Sequence, residues 1–214
     1  MMYRDRADAG RVLADTLGPP EGSPVLLALP RGGVVVGAAV AERLGVELDV
    51  LVVRKIGVPS QPELAMGAVG EDGVLVVHDA AVRLGRVSPA AFERVRLAEE
   101  TELDRRVRAY RTHRNRVPLE GRSVLVVDDG VATGSTARAA CLVARAAGAV
   151  RVTLAVPVGP PDLAERLATV VDQVVCPMAP PSLFAIGEAY EDFSPTSDAE
   201  VIAILARIGA SSDR

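Results

Sequence analysis

Two adjacent carboxylates, Asp128 and Asp129, end an apolar run at residues 124–127, and the small-residue stretch Gly130-Val131-Ala132-Thr133-Gly134-Ser135-Thr136 follows them. The run predicts a buried strand. From residue 135 a helical pattern begins and closes at Gly148. A turn of this kind offers the backbone N–H groups of Thr133, Gly134, Ser135 and Thr136 at the positive end of a helix dipole, which makes a cradle for an anion. The hydroxyls of Thr133, Ser135 and Thr136 add donors. Like charges repel, so the acid pair does not share that anion. It accepts hydrogen bonds from a neighbouring diol, or stands as an outer-shell group to a divalent cation. A phosphate monoester beside a hydroxyl-accepting pair describes a ribose 5-phosphate. A bare Asp-Asp-Gly reads as a turn and Thr-Gly-Ser-Thr as a helix cap. The unbroken order of strand, acid pair, small loop and helix points instead to a ligand site at the carboxyl end of a parallel sheet.

Further segments carry charge or aromatic surface. Pro30-Arg31-Gly32-Gly33 follows the apolar run at 25–29; its glycines admit close backbone approach and Arg31 can neutralise an anion. Arg54 and Lys55 end a second apolar run, 48–53, and open a loop rich in Gly, Pro and Ser that lasts to residue 62. Phe184, Tyr190 and Phe193 are half of the chain's three Tyr and three Phe. They offer either a face on which a planar base stacks or a local cluster that anchors the last helix. His78 and His113 lie outside these motifs and read as structural or exposed.

Other chemistries are excluded or disfavoured. A dinucleotide site needs G-x-G-x-x-G and an acid at the end of the next strand. Here the glycines are 32, 33 and 37, and Asp49 opens the strand rather than ending it. No GxxxxGK[ST] occurs, and no Ser-His-Asp or Cys-His pattern supplies a nucleophile. Cys141 and Cys176 are isolated, in apolar surroundings, and read as two buried thiols. A net charge of −4 argues against a general nucleic-acid binder.

The acid-pair segment resembles the phosphoribosyl-pyrophosphate (PRPP) signature of the type I phosphoribosyltransferases. The resemblance covers about residues 24–175. It implies that Asp128 and Asp129 hold the ribose 2′- and 3′-hydroxyls and that Ala132, Thr133, Gly134, Ser135 and Thr136 wrap the 5′-phosphate. It also makes Arg31, Gly32 and Gly33 the pyrophosphate loop, often with a strained peptide bond, and Arg54 and Lys55 the start of a mobile segment that closes over the substrate. Mg²⁺ would arrive with PRPP and meet Asp128 and Asp129 through water or ribose hydroxyls. A hood of variable terminal segments, here with Phe184, Tyr190 and Phe193, would cover the acceptor base. Members acting on 6-oxopurines carry an acid where this chain has Ala132, which counts against hypoxanthine or guanine and leaves the loop without an acid–base catalyst. The implied activity joins a nitrogenous base to ribose 5-phosphate with release of pyrophosphate; Asp128, Asp129, Arg31 and Lys55 would be its catalytic residues. The alternative is a regulatory protein of the same fold that senses PRPP or nucleotides and binds nucleic acid without turnover.

The elements that must position these residues predict an α/β fold: a central, mostly parallel sheet flanked by helices. Helices are expected at 5–17, 34–44, 135–147, 162–167 and 198–208, and strands at 25–29, 48–53, 124–127, 152–156 and 170–175. Residues 64–69 and 74–77 predict a β-hairpin about Gly70-Glu71-Asp72-Gly73. Ser88-Pro89 caps a long Arg-rich helix running to about residue 114, whose charges read first as a solvated face and second as a contact for a partner subunit in a homodimer. The 214 residues fit one domain, with a core at about 24–176 and a C-terminal hood at about 177–209. Apolar residues make up 49% and charged residues 24%, with no Trp, so Val, Leu, Ala and Ile must build the core. No secretory signal, disulfide framework or membrane-spanning run is visible, which predicts a cytoplasmic protein.

Overall fold

The computed structural model describes residues 2–112 and 115–212. Asp5 caps helix α1 (Arg6–Leu17) by accepting from the backbone N–H of Asp8. Strand β1 (Val25–Ala28) leads into helix α2 (Gly32–Leu44), which ends where Gly45 turns left-handed at φ 66° and its N–H donates to the carbonyl of Ala41. Strand β2 (Glu47–Val50) follows. Next come three antiparallel strands, β3 (Val53–Val58), β4 (Gln61–Gly70) and β5 (Leu75–Val77), and a short helix α3 (Asp79–Leu84). Ser88 then caps the long helix α4 (Pro89–Tyr110). The rest is β6 (Ser123–Val127), α5 (Ser135–Ala146), β7 (Arg151–Ala155), α6 (Leu163–Leu167), β8 (Gln173–Val175) and α7 (Asp198–Ser212).

The main sheet has the order β2-β1-β6-β7-β8, and all its pairs are parallel. Alternation along its strands fills two layers. Val25, Leu27, Val124 and Val126 pack with α5 and α6, whereas Leu26, Ala28, Leu125 and Val127 pack with α1, α2 and α7. A sheet covered on both faces needs apolar residues at nearly every position, as the sequence has.

The expected α/β class is found, with local differences. The second strand ends at Val50, not Val53; Val53 begins a separate three-stranded sheet. Of the expected loop at 54–62, residues 54–58 lie in β3 and 61–62 in β4, and only the turn at Pro59-Ser60 remains. Arg54, Ile56 and Val58 alternate on β3, and its ladder to β4 tolerates Gly57 because a side chain there would meet the carbonyl of Pro62 at 2.4 Å. The hairpin about Glu71–Gly73 is present, and β3 extends it to three strands. Helix α3 fills a segment for which no element was expected. The long helix stops at Tyr110, short of the expected end near residue 114: Arg111 and Thr112 form a bend and a turn, and His113 and Arg114 lie outside the described residues.

An ion network fixes the second sheet against the first. Asp49, fully buried, accepts from Nη1 of Arg111 at 2.5 Å and from the N–H of Val117 at 3.0 Å. Glu71 accepts from Nε of the same Arg111 at 2.8 Å. Asp49 does not open the second strand as expected: β2 runs Glu47–Val50, so Asp49 stands one residue before its end, where it is a structural anchor for the residue that follows α4.

Candidate functional site

Because β1 and β6 pair with Ala28 opposite Val127, their carboxyl ends lie side by side. The loop after β1 therefore meets the acid pair after β6, and the N–H of Leu29 bonds the carbonyl of Val127 at 2.8 Å. Gly32 and Gly33 open α2 directly against the carboxylates. A Cβ on Gly33 would come within 2.9 Å of Cα of Asp128. The peptide bond between Pro30 and Arg31 is cis.

Asp129 Oδ2 accepts from Nε of Arg6 at 2.8 Å, and the carbonyl of Asp129 accepts from the hydroxyl of Tyr190 at 2.5 Å. Oδ1 of Asp128 accepts from the N–H of Asp129 at 2.9 Å. Burial, and then the neighbouring Asp129 carboxylate, push Asp128 above the ordinary carboxylate range. The two acids are thus unequal: one faces a guanidinium, the other faces a like charge.

Gly134 adopts φ 86° to start α5. Among the described residues, the N–H groups of Thr133, Gly134 and Thr136 have no acceptor, while Ala132, Thr133 and Thr136 are exposed. The turn expected as an anion cradle therefore has open donors at the start of a twelve-residue helix.

Two cavities reach opposite ends of this turn. One, of about 580 Å³, touches Thr136 and is lined by Pro30, Arg54, Lys55, Glu99 and Arg106. The other, of about 430 Å³, touches Ala132 and is lined by Pro160, Pro161, Pro181, Leu183 and the paired Asp162 and Arg166. The first carries more cations than anions; the second combines three prolines, Ala132 and Leu183 with the Asp162–Arg166 ion pair, so its surface is polar and apolar in similar measure. In the first, Nε and Nη2 of Arg54 lie 2.7 and 2.6 Å from Glu99 of α4. Arg106 bonds Glu102 at 2.8 Å. Arg31 lies 3.8 Å from Asp198, which also accepts from the hydroxyl of Tyr110 at 2.6 Å.

Asp128, Asp129, Gly32, Gly33 and the 132–136 turn come together, with Arg54 and Lys55 lining the basic cavity; Arg31 is not in that lining and is turned toward Asp198 of α7. The three aromatic residues do not share one face. Tyr190 is buried against Tyr3, and Phe193 stacks on Tyr190 with centroids 4.9 Å apart while Arg6 covers it. Both belong to a cluster that packs residues 178–193 against Tyr3, Ala9 and Val12 of the N-terminal segment; the core residues of the last helix, Val201 and Leu205, pack elsewhere, with α2. Phe184 is 87% exposed, beside Leu183 of the proline-lined cavity. Cys141 is buried as expected, but Cys176 is only half-buried.

Arg6, Glu99 and Arg106 had no sequence pattern pointing to them. One signal was present for Arg6: a cation in the first turn of a helix opposes the helix dipole, and such local conflicts gather at functional sites. Among the described residues no helix is long and apolar enough to cross a membrane.

Comparison with known proteins agrees with this geometry. Residues 6–191 match the model of the phosphoribosyl transferase domain. Two Mycobacterium tuberculosis proteins, MT0597 and Rv0571c, whose names assign them provisionally as phosphoribosyl transferases, are each 53% identical over 207 residues. That alignment takes in 96% of this chain but 47% of theirs, so the chain spans about half the length of these relatives. The crystal structure of TT1426 from Thermus thermophilus superposes with a TM-score of 0.90 at 45% identity, covering 97% of this chain and 99% of that one. With its acid pair, open turn and flanking cavities on a parallel sheet, the chain belongs to the phosphoribosyl transferase domain family.

Proposed function

We propose that the chain transfers ribose 5-phosphate between PRPP and a nitrogenous base, with release of pyrophosphate. The observation that carries this reading is the order of chemistries around one turn: carboxylates at 128 and 129, open amides at 133, 134 and 136, a basic cavity at one end and, at the other, a proline-lined cavity with the Asp162–Arg166 pair at its wall. Pyrophosphate suits the cavity with Arg54, Lys55 and Arg106. A planar base suits the cavity with Pro160, Pro161, Pro181 and Leu183, where Phe184 is free to stack on it.

Breaking the bond at the anomeric carbon builds positive charge on the sugar and negative charge on the leaving pyrophosphate. Arg31, Arg54 and Lys55 stabilise the leaving group, and the cradle and acid pair hold the sugar in line. Arg31 and Arg54 exchange Asp198 and Glu99 for the incoming anion. Closure of the β3–β4 hairpin excludes water from the reactive sugar. No nucleophilic side chain is needed.

Magnesium fits this site as an ion carried by the substrate. Among the described residues no three His, Cys, Asp or Glu gather to cage a cation, whereas Asp128 and Asp129 suit outer contacts through water or ribose hydroxyls. When bound it neutralises pyrophosphate charge.

The test is a panel of purines, pyrimidines and pyridine carboxylates incubated with PRPP, following pyrophosphate release. The expected result is release that depends on one acceptor class. Absence of release with every acceptor, despite PRPP binding, would favour a sensing protein.

A further inference from the structure

Arg6 comes to the acid pair from the opposite end of the chain. Its Nε lies 2.8 Å from Oδ2 of Asp129, and its Nη1 donates to the carbonyl of Ser194 at 2.7 Å. Its guanidinium carbon lies 3.9 Å from the centre of the Phe193 ring. Both partners of the ion pair are shielded, with side chains 11% and 14% exposed. The chain on either side is held as well. Tyr3 exchanges backbone hydrogen bonds with Ala189 and Glu191, both at 2.8 Å, and the N–H of Asp192 bonds the carbonyl of Arg4 at 2.9 Å.

This arrangement decides which oxygens remain for a ligand. Asp128 Oδ1 is taken by the N–H of Asp129, and Asp129 Oδ2 by Arg6. Among the described residues no donor serves Asp128 Oδ2 or Asp129 Oδ1. Each carboxylate thus keeps one oxygen that meets no donor among the described residues, enough to accept from the two hydroxyls of a vicinal diol. A guanidinium fixed by a carboxylate, a carbonyl and a ring is ordered before any ligand binds, so little further ordering is required when the sugar arrives. Lysine, with a point charge and no planar fork, cannot make this three-sided contact.

We propose that Arg6 is a positioning residue that turns the Asp129 carboxylate toward a ribose hydroxyl and thereby sets a preference for ribose 5-phosphates over their deoxy counterparts. The proposal rests on the reading of Asp128 and Asp129 as a diol grip.

Calorimetric titration with ribose 5-phosphate, 2-deoxyribose 5-phosphate and 3-deoxyribose 5-phosphate tests it, using the full chain, Arg6→Gln and Arg6→Lys, with melting temperature as the folding control. The native chain should prefer ribose 5-phosphate over at least one deoxy sugar by about tenfold, the scale of a hydrogen bond to a charged group. Arg6→Gln should narrow that ratio to within about threefold while the deoxy sugar, still held by its phosphate, binds as before. An unchanged ratio, or an equal loss for all three sugars, would overturn the role assigned to Arg6 and leave the ribose reading standing. A native chain without discrimination overturns the ribose reading, and the role of Arg6 with it. If Arg6→Gln does not fold, Arg6→Lys decides: a partly narrowed ratio supports the proposal, and a ratio as wide as the native one overturns it.

Discussion

A methyl group on Gly32 would lie 1.9 Å from Oδ2 of Asp129 and 2.7 Å from Nε of Arg6. The first turn of α2 and the acid pair are thus packed backbone against carboxylate, and any side chain at position 32 must displace the ion pair. Gly32→Ala is expected to weaken PRPP binding by about tenfold or more, because the loss of one charge-assisted hydrogen bond is on that scale. Gly45→Ala, at the far end of the same helix, is the control. Its left-handed φ of 66° makes the substitution cost stability, about 1–2 kcal/mol, with PRPP affinity unchanged. Calorimetry and thermal melts separate the two effects.

Glu99 holds Arg54 where the basic cavity would receive pyrophosphate. Both side chains are partly exposed, at 30% and 22%, so the pair is worth only about 0.2–1 kcal/mol. Glu99→Gln frees Arg54 and should tighten pyrophosphate binding by about two- to fivefold, with the same gain in product inhibition. Weaker binding in this variant would show that Glu99 orients Arg54 rather than competing for it.

Among the described residues, Arg111 is the cation that bonds both Asp49 and Glu71. Replacing it by Met leaves two buried acids without that partner, and breaking such a network costs about 3–5 kcal/mol. The expected outcome is a strongly lowered denaturant midpoint. If the variant stays folded, PRPP binding should fall as well, because the anchor sets β3 and therefore Arg54 and Lys55. A variant of native stability would contradict the structural role.

The thiols should be inert. Burial pushes Cys141 up to about 12 and Cys176 up to about 11, so neither is a thiolate at pH 8. Alkylation at pH 8 should be slow for both in the folded chain and fast in denaturant, read by mass spectrometry. Rapid native modification of Cys141 would mean that α5 opens far more readily than its packing implies.

Local chemistry made the centre of the site legible in the sequence. The acid pair, the 132–136 turn and the paired glycines are each fixed by neighbours a few residues away, and the alternation in β1 and β6 follows from burial on both faces. What was not legible depends on distant partners. Residues 54–62 carry Gly57, Pro59 and Ser60, the marks of a loop; Pro59 and Ser60 do make a turn, but the residues on either side become strands because β3 and β4 pair across it. Arg6 is one more charge on an amphipathic helix until folding brings it to Asp129. Tyr190 and Phe193 were equally good as a base platform or as an anchor for the last helix, and folding instead sets them against Tyr3 and Arg6 of the N-terminal segment.

The most direct test is calorimetric titration with PRPP and Mg²⁺ of the native chain and of a variant carrying Asp128→Asn and Asp129→Asn. The account predicts saturable one-site binding to the native chain and at least tenfold weaker binding to the variant, on the scale of hydrogen bonds to charged groups. No heat with the native chain, or equal affinity in the two, would contradict it.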